Sequence, residues 1–243
     1  MSDQFMRTRM LLGDEGIKNL QAATIMVVGL GAVGGYALEA LARAGVGHLQ
    51  LVDFDKFDKT NINRQILALH STIGHCKTEV AAARVKDINP ACRVEVFDTF
   101  VNEESLPDLL ALKPDFVVDA IDSLNSKCNL MENLWRAKIP FISSMGAALK
   151  CDTSAIRFAK LSQTENCALA RMVRQRLRRR GVEIKDIDCV YSKECAKLPA
   201  TALAMPEEGR RHIMGSLPTI TAIFGLTIAN QAILKLASAD FRA

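Results

Sequence analysis

At 243 residues, 49% hydrophobic and 24% charged, the chain has the make-up of one large α/β domain or two small ones, not of a disordered or collagen-like protein. The amino terminus, MSDQFMRTRM, holds no apolar core of signal-peptide length, which predicts a cytoplasmic protein. None of the seven cysteines stands in a C-x-x-C pair, which argues against a zinc ribbon and, in a reduced compartment, against disulfides.

In chain order, Thr24–Gly29 reads as a short buried strand and Gly34–Ala44 as the helix that follows it. His48–Asp53 is a second strand. Lys77–Ile88 reads as a helix stopped by Asn89-Pro90, and Arg93–Phe97 alternates like a strand. Asp115–Ala120 is a fourth strand, followed by a helix over about 125–137 and a fifth strand over Pro140–Ser144. This alternation predicts an α/β fold, a doubly wound, mostly parallel, Rossmann-like sheet, with residues 1–146 as the nucleotide-binding half. Beyond it the rhythm breaks. Ala155–Ala159 and Asp188–Tyr191 read as strands and Ala168–Arg180 as a basic helix. A segment over about 198–215, with Pro199, Pro206 and Gly209, is expected to be irregular or mobile. Leu217–Ala237 is nearly long enough to span a membrane. Thr219, Thr221, Thr227, Asn230 and Gln231 interrupt it, so it reads as a helix buried against the sheet, without stable membrane insertion. With no linker in view, residues 147–243 are expected to elaborate the same domain as a substrate and dimer half.

The nucleotide signature is Gly29, Gly31 and Gly34, a G-x-G-x-x-G between strand and helix. The first glycine permits the tight turn, the second lets backbone approach phosphates, and the third lets the helix pack on the strand. Asp53 ends the next strand about 20 residues on, where a carboxylate accepts from ribose hydroxyls. Asp55 could share that role. To this point a dinucleotide fits as well as ATP. The run TNINRQ then places Arg64 just beyond the acid, and GHCKTEV places Lys77 at a helix start. Two cations together suit a polyphosphate undergoing phosphoryl chemistry better than a hydride donor. In DAIDS, Asp119 and Asp122 end the fourth strand; Asp119 suits a structural role, and Asp122 is the candidate ligand for Mg²⁺.

The set GLGAVGGYALEALARAGVG, LVDFD, TNINRQ, GHCKTEV, INP and DAIDS resembles the ubiquitin-activating-enzyme-like adenylyltransferases, over about residues 7–146. The resemblance implies that a carboxylate attacks the α-phosphate of ATP and pyrophosphate leaves. It implies that Asp53 binds ribose, that Asn61, Arg64 and Lys77 contact phosphates, and that Asp122 positions Mg²⁺. Arg7 matches an arginine that reaches the partner subunit's site, which implies a homodimer. The sulfur-carrier activators of this family usually carry zinc-binding C-x-x-C pairs, which this chain lacks. LARMVRQRLRRRG, CVYSKE and GSLPTITAIFGLTIANQAI resemble instead the branch that dehydrates threonylcarbamoyladenosine in tRNA, extending the likeness over nearly the whole chain. The other reading is activation of a ubiquitin-like carrier, and a sulfur-transfer protein stays open as a further partner.

The net charge of +4 is unevenly spread. RMVRQRLRRR, residues 171–180, carries six arginines, so the remainder is net negative. At 100° per residue Arg171, Arg174 and Arg178 share one helix face, opposite Leu169, Val173 and Leu177. Taken alone, that stripe suits a solvated face as well as it suits tRNA; the resemblance favours tRNA. Cys167, Cys189 and Cys195 read as ordinary thiols. A thioester role for Cys167, close in sequence to the arginines, is the alternative.

Overall fold

The computed structural model describes residues 4–195 and 214–238. Seven strands form one sheet: β1 (Thr24–Val28), β2 (His48–Asp53), β3 (Arg93–Asp98), β4 (Phe116–Asp119), β5 (Phe141–Ser144), β6 (Ile156–Lys160) and β7 (Asp188–Ser192). Their order is β3-β2-β1-β4-β5-β7-β6, parallel except for β6, which runs antiparallel on the far edge. Strands from both halves of the chain therefore share one sheet. The winding reverses between β1 and β4, so a crevice opens there at the carboxyl ends of the strands, the place where open α/β sheets take their ligands.

Helices α1 (Met6–Ala22), α2 (Gly34–Ala44), α3 (Lys77–Ile88) and α7 (Pro218–Ala237) cover one face, around Leu41, Leu49, Val85 and Phe224. Helices α4 (Leu106–Ala111), α5 (Leu124–Arg136) and α6 (Ala168–Arg179) cover the other, around Leu130, Leu134, Val173 and Leu177. The expected elements agree with the observed ones to within a residue or two at their ends. Two helices had no counterpart in the sequence reading. One is α4, a single short stretch with Pro107 in its first turn. The other is α1, which breaks its own period at Gly13, where φ is 76°.

Helix α7 has the length and hydropathy of a membrane-crossing helix. As expected, it packs on the sheet instead. Ile220, Phe224, Ile228, Ala232 and Leu236, four residues apart, form its buried stripe. Gly225 lets it cross α2 closely, since a Cβ there would lie 2.3 Å from the Val33 carbonyl oxygen. Of the segment expected to be irregular, residues 198–213 lie outside the described residues, and Gly215 accepts the Leu149 N–H at 2.9 Å.

Candidate functional site

The three glycines of the β1–α2 turn differ in what the chain asks of them. Gly29 has φ 89° and packs on the Ala120–Ile121 peptide, with Ala120 O 2.9 Å from where a Cβ would be. At Gly34 a Cβ would sit 1.7 Å from the Gly29 carbonyl oxygen, an approach that only a bare α-carbon permits. At Gly31 a Cβ would meet nothing closer than Gln65 Nε2 at 3.8 Å. Protein packing thus accounts for Gly29 and Gly34 and not for Gly31, which leaves open backbone beside the amino terminus of α2, a position suited to phosphate.

Asp53, 8% exposed, fastens this turn to β2. Its Oδ2 accepts the Leu30 N–H at 2.6 Å and its Oδ1 accepts the Asp55 N–H at 2.9 Å. A carboxylate has about four acceptor sites, so capacity remains for a diol. Asp55 is engaged elsewhere: it accepts from Lys77 Nζ at 2.9 Å. Lys77 is buried at the first position of α3. Asn61 lends its Oδ1 to the Asp58 N–H, closing a capping box on a short 3-10 turn. Arg64 is tethered by its own turn, donating from Nη1 to Thr60 O at 2.9 Å and Asn63 Oδ1 at 3.0 Å. Gln65, buried beside Gly31, holds its Oε1 without a hydrogen-bond partner among the described residues. Phe54 and Phe100 form an exposed edge-to-face pair, centroids 4.8 Å apart, just beyond Asp53. Sequence reasoning passed over Gln65 and this pair. The phenylalanines come from separate loops, and only the fold joins them.

At the end of β4 the two carboxylates have separate fates. Asp119 is fully buried and accepts from Lys127 Nζ and Ser143 Oγ, each at 2.6 Å. Asp122 is exposed and makes no hydrogen bond to protein among the described residues. No group of three or more His, Cys, Asp or Glu side chains is arranged for a metal among the described residues. Asp122 therefore fits a cation that takes one carboxylate and draws its other ligands from phosphate and water, the usual habit of Mg²⁺.

Arg7 lies far from this crevice within the chain. Phe5 packs on Gly45, the carboxyl cap of α2, while the phosphate turn is at the other end of that helix, about 16 Å away at 1.5 Å per residue. Arg7 is exposed there, flanked by exposed Met6, Met10 and Leu11.

Helix α6 runs alongside α5 at a constant offset: Arg176 donates to Asn125, and Arg180 donates to Asn129 at 2.7 Å. Since α5 starts at Leu124, the first turns of α6 rise about 10 Å past its amino terminus, toward the crevice side. Val173 and Leu177 are buried, as the periodicity requires. The basic stripe needs one correction. Arg171 and Arg178 are exposed, and Arg179 joins them, but Arg174 is half-buried and donates to Thr164 O at 2.8 Å and to Thr164 Oγ1. The polar loop before α6 draws it inward. Cys167 is the buried amino cap of α6, its Sγ accepting the Ala170 N–H. Burial pushes the Cys189 thiol up to about 12, and Cys195 is exposed. A cleft of about 270 Å³ around Phe116, Ile142, Phe158 and Leu234 opens at the opposite ends of the strands and contains none of the site residues.

The family model described as ThiF matches residues 4–241. The tRNA threonylcarbamoyladenosine dehydratase of Bacillus subtilis (strain 168) is 42% identical over 194 residues, 80% of this chain and 76% of that one. The crystal structure of the Escherichia coli tRNA N6-threonylcarbamoyladenosine dehydratase in complex with ATP superposes with a TM-score of 0.89 at 35% identity, covering 98% of this chain and 96% of that one. The molybdopterin-synthase adenylyltransferase of Haemophilus influenzae is 33% identical over 138 residues, 57% of this chain and 56% of that one.

Proposed function

The chain belongs to the ThiF family, and on that footing we propose that it is an ATP-dependent dehydratase of threonylcarbamoyladenosine in tRNA. A carboxylate oxygen of the threonyl group attacks the α-phosphorus of ATP, and the bond to pyrophosphate breaks. An atom of the modification then attacks the activated acyl carbon, the ring closes, and AMP leaves with the oxygen that would otherwise depart as water. The observation that carries this reading is the pairing of a phosphate turn, open at Gly31 and fastened to β2 by Asp53, with a likeness to dehydratases along nearly the whole chain.

In this reading the Gly31 backbone and the α2 amino terminus cradle phosphate, and Asp53 accepts from the ribose. Lys77, Arg64 and the Asn61 amide meet the charge that develops as pyrophosphate leaves. Asp122 would hold Mg²⁺ with phosphate oxygens, and that ion would offset phosphate charge. Exposed Arg171, Arg178 and Arg179 would take the RNA backbone, with Arg171 nearest the crevice. The enzyme would be a cytoplasmic homodimer in which Arg7 completes the partner's crevice. Its distance from its own phosphate turn and the apolar residues around it support that arrangement.

The alternative, activation of a ubiquitin-like carrier, draws on relatives whose likeness covers little more than half the chain. ATP–pyrophosphate exchange measured with modified tRNA and, separately, with a carrier protein distinguishes the two. Exchange driven by tRNA alone is expected, and exchange driven only by the carrier would reverse the assignment.

A further inference from the structure

Lys127 has no place in the chemistry described so far, yet it is among the most deeply buried side chains in the molecule. It lies in the first turn of α5, five residues past Asp122. Its Nζ donates to Asp119 Oδ2 at 2.6 Å and to Ser143 Oγ at 3.1 Å, and Ser143 Oγ donates to the same Asp119 oxygen at 2.6 Å. Side chains of Lys127 and Asp119 are both 0% exposed. Asp119 and Ser143 are paired residues on adjacent strands, so the lysine bridges β4 and β5 at their carboxyl ends. The remaining Asp119 oxygen, Oδ1, accepts the Ile121 N–H at 3.1 Å.

Such a pair is a weak means of stabilising a fold. A buried ion pair gains little over apolar side chains of the same volume, and what this one does visibly is hold three groups from two strands and a helix in one hydrogen-bonded arrangement. The geometry in question is that of residues 120–122. Ala120 donates to Val28 O at 2.8 Å, its carbonyl packs on Gly29, Ile121 is tied to Asp119, and Asp122 follows directly. One buried network thus fixes both the backing of the phosphate turn and the direction of Asp122. It also sorts the charges. Of the two carboxylates three residues apart at this strand end, Lys127 neutralises the buried Asp119, and Asp122 is the one left exposed without an ion-pair partner among the described residues.

We propose that Lys127 is a positioning residue for adenylation: through Asp119 and Ser143 it sets the Ala120–Asp122 turn against the phosphate loop. This rests on the reading of the crevice as an adenylation site. Failure of that reading shows as wild-type protein that forms no AMP with modified tRNA. Failure of this inference shows only in variants of a working enzyme.

The test compares wild type with Lys127→Met/Asp119→Asn, which removes both charges together, and with Ser143→Ala, which keeps the ion pair and removes one anchor. Melting temperature, ATP affinity by calorimetry, and kcat and KM for AMP formation are measured for each. A displaced turn is expected to lower kcat about 10- to 100-fold in the double variant, with ATP affinity within about threefold of wild type. Ser143→Ala should move kcat the same way by a smaller factor. A purely structural network would lower the melting temperature and leave kcat of the folded protein unchanged. Wild-type kcat in the folded double variant overturns the proposal. Should that variant fail to fold, wild-type kcat in Ser143→Ala overturns it.

Discussion

Lys77 donates to Asp55 at 2.9 Å, and of the two only the lysine is buried, 8% against 49% side-chain exposure. The carboxylate can therefore turn to solvent when an anion arrives, while the ammonium, held by the first turn of α3, stays in place. Asp55, a second candidate for the ribose from sequence, is bound to this lysine instead.

Replacing either phosphate cation is expected to remove transition-state stabilisation. Lys77→Ala and Arg64→Ala should each lower the adenylation rate on the order of 10²- to 10³-fold. Asp55→Asn, which leaves the lysine in place, should cost far less. Asp122→Asn should raise the Mg²⁺ concentration needed for half-maximal rate. Pyrophosphate exchange across a metal titration checks all four, and wild-type rates in both cation variants would remove them from the site.

The glycines give a sharper contrast. Gly31→Ala has room for its methyl group and should change stability by no more than about 0.5 kcal/mol. It should nevertheless weaken ATP binding severely, because the methyl occupies the space offered to phosphate. Gly34→Ala should unfold or grossly destabilise the protein, since the Gly29 carbonyl stands where the methyl would go. Thermal melting beside ATP calorimetry separates the two. Undiminished ATP binding by folded Gly31→Ala would show that phosphate lies elsewhere.

Much of this arrangement is legible in sequence where the cause is local. The ends of α2, β2 and α3 follow from Gly34, Gly45, the run of apolar residues to Asp53 and the Asn89-Pro90 stop. The phosphate turn and its acid follow from spacing. What sequence hides is decided across the fold. A lysine at position 127 reads as solvent-facing until Asp119 and Ser143 arrive from two strands to bury it. Arg174 lies on the basic side of a helical wheel, yet Thr164, ten residues back, turns it inward. Helix α1 escapes a periodicity search because Gly13 breaks its axis midway.

The corrected basic surface makes its own prediction. Neutralising Arg171, Arg178 and Arg179 to Gln should weaken tRNA binding and flatten its salt dependence. The slope should fall by roughly 0.9 for each duplex phosphate that is no longer neutralised, and by less for a single strand. ATP affinity should stay unchanged, since none of the three touches the phosphate turn. Arg174→Gln should instead lower the melting temperature, because it leaves the buried Thr164 short of a donor. An unchanged salt slope in the triple variant would mark the surface as merely solvated.

A composite site predicts complementation. Arg7→Ala and Lys77→Ala subunits, each strongly impaired alone, should regain part of the wild-type rate when mixed, because one crevice in the mixed dimer keeps both groups. Sedimentation showing only monomers at assay concentration, or no rescue from a mixture shown to have exchanged subunits, would place Arg7 outside the site.

The central claim is most directly tested by mass analysis of nucleosides from threonylcarbamoyladenosine-bearing tRNA incubated with the enzyme, ATP and Mg²⁺. The account predicts that the modified nucleoside becomes lighter by one water, with AMP and pyrophosphate formed in step, and that omitting ATP or using Lys77→Ala leaves it unchanged. A nucleoside of unaltered mass beside an enzyme that adenylates a carrier protein would contradict it.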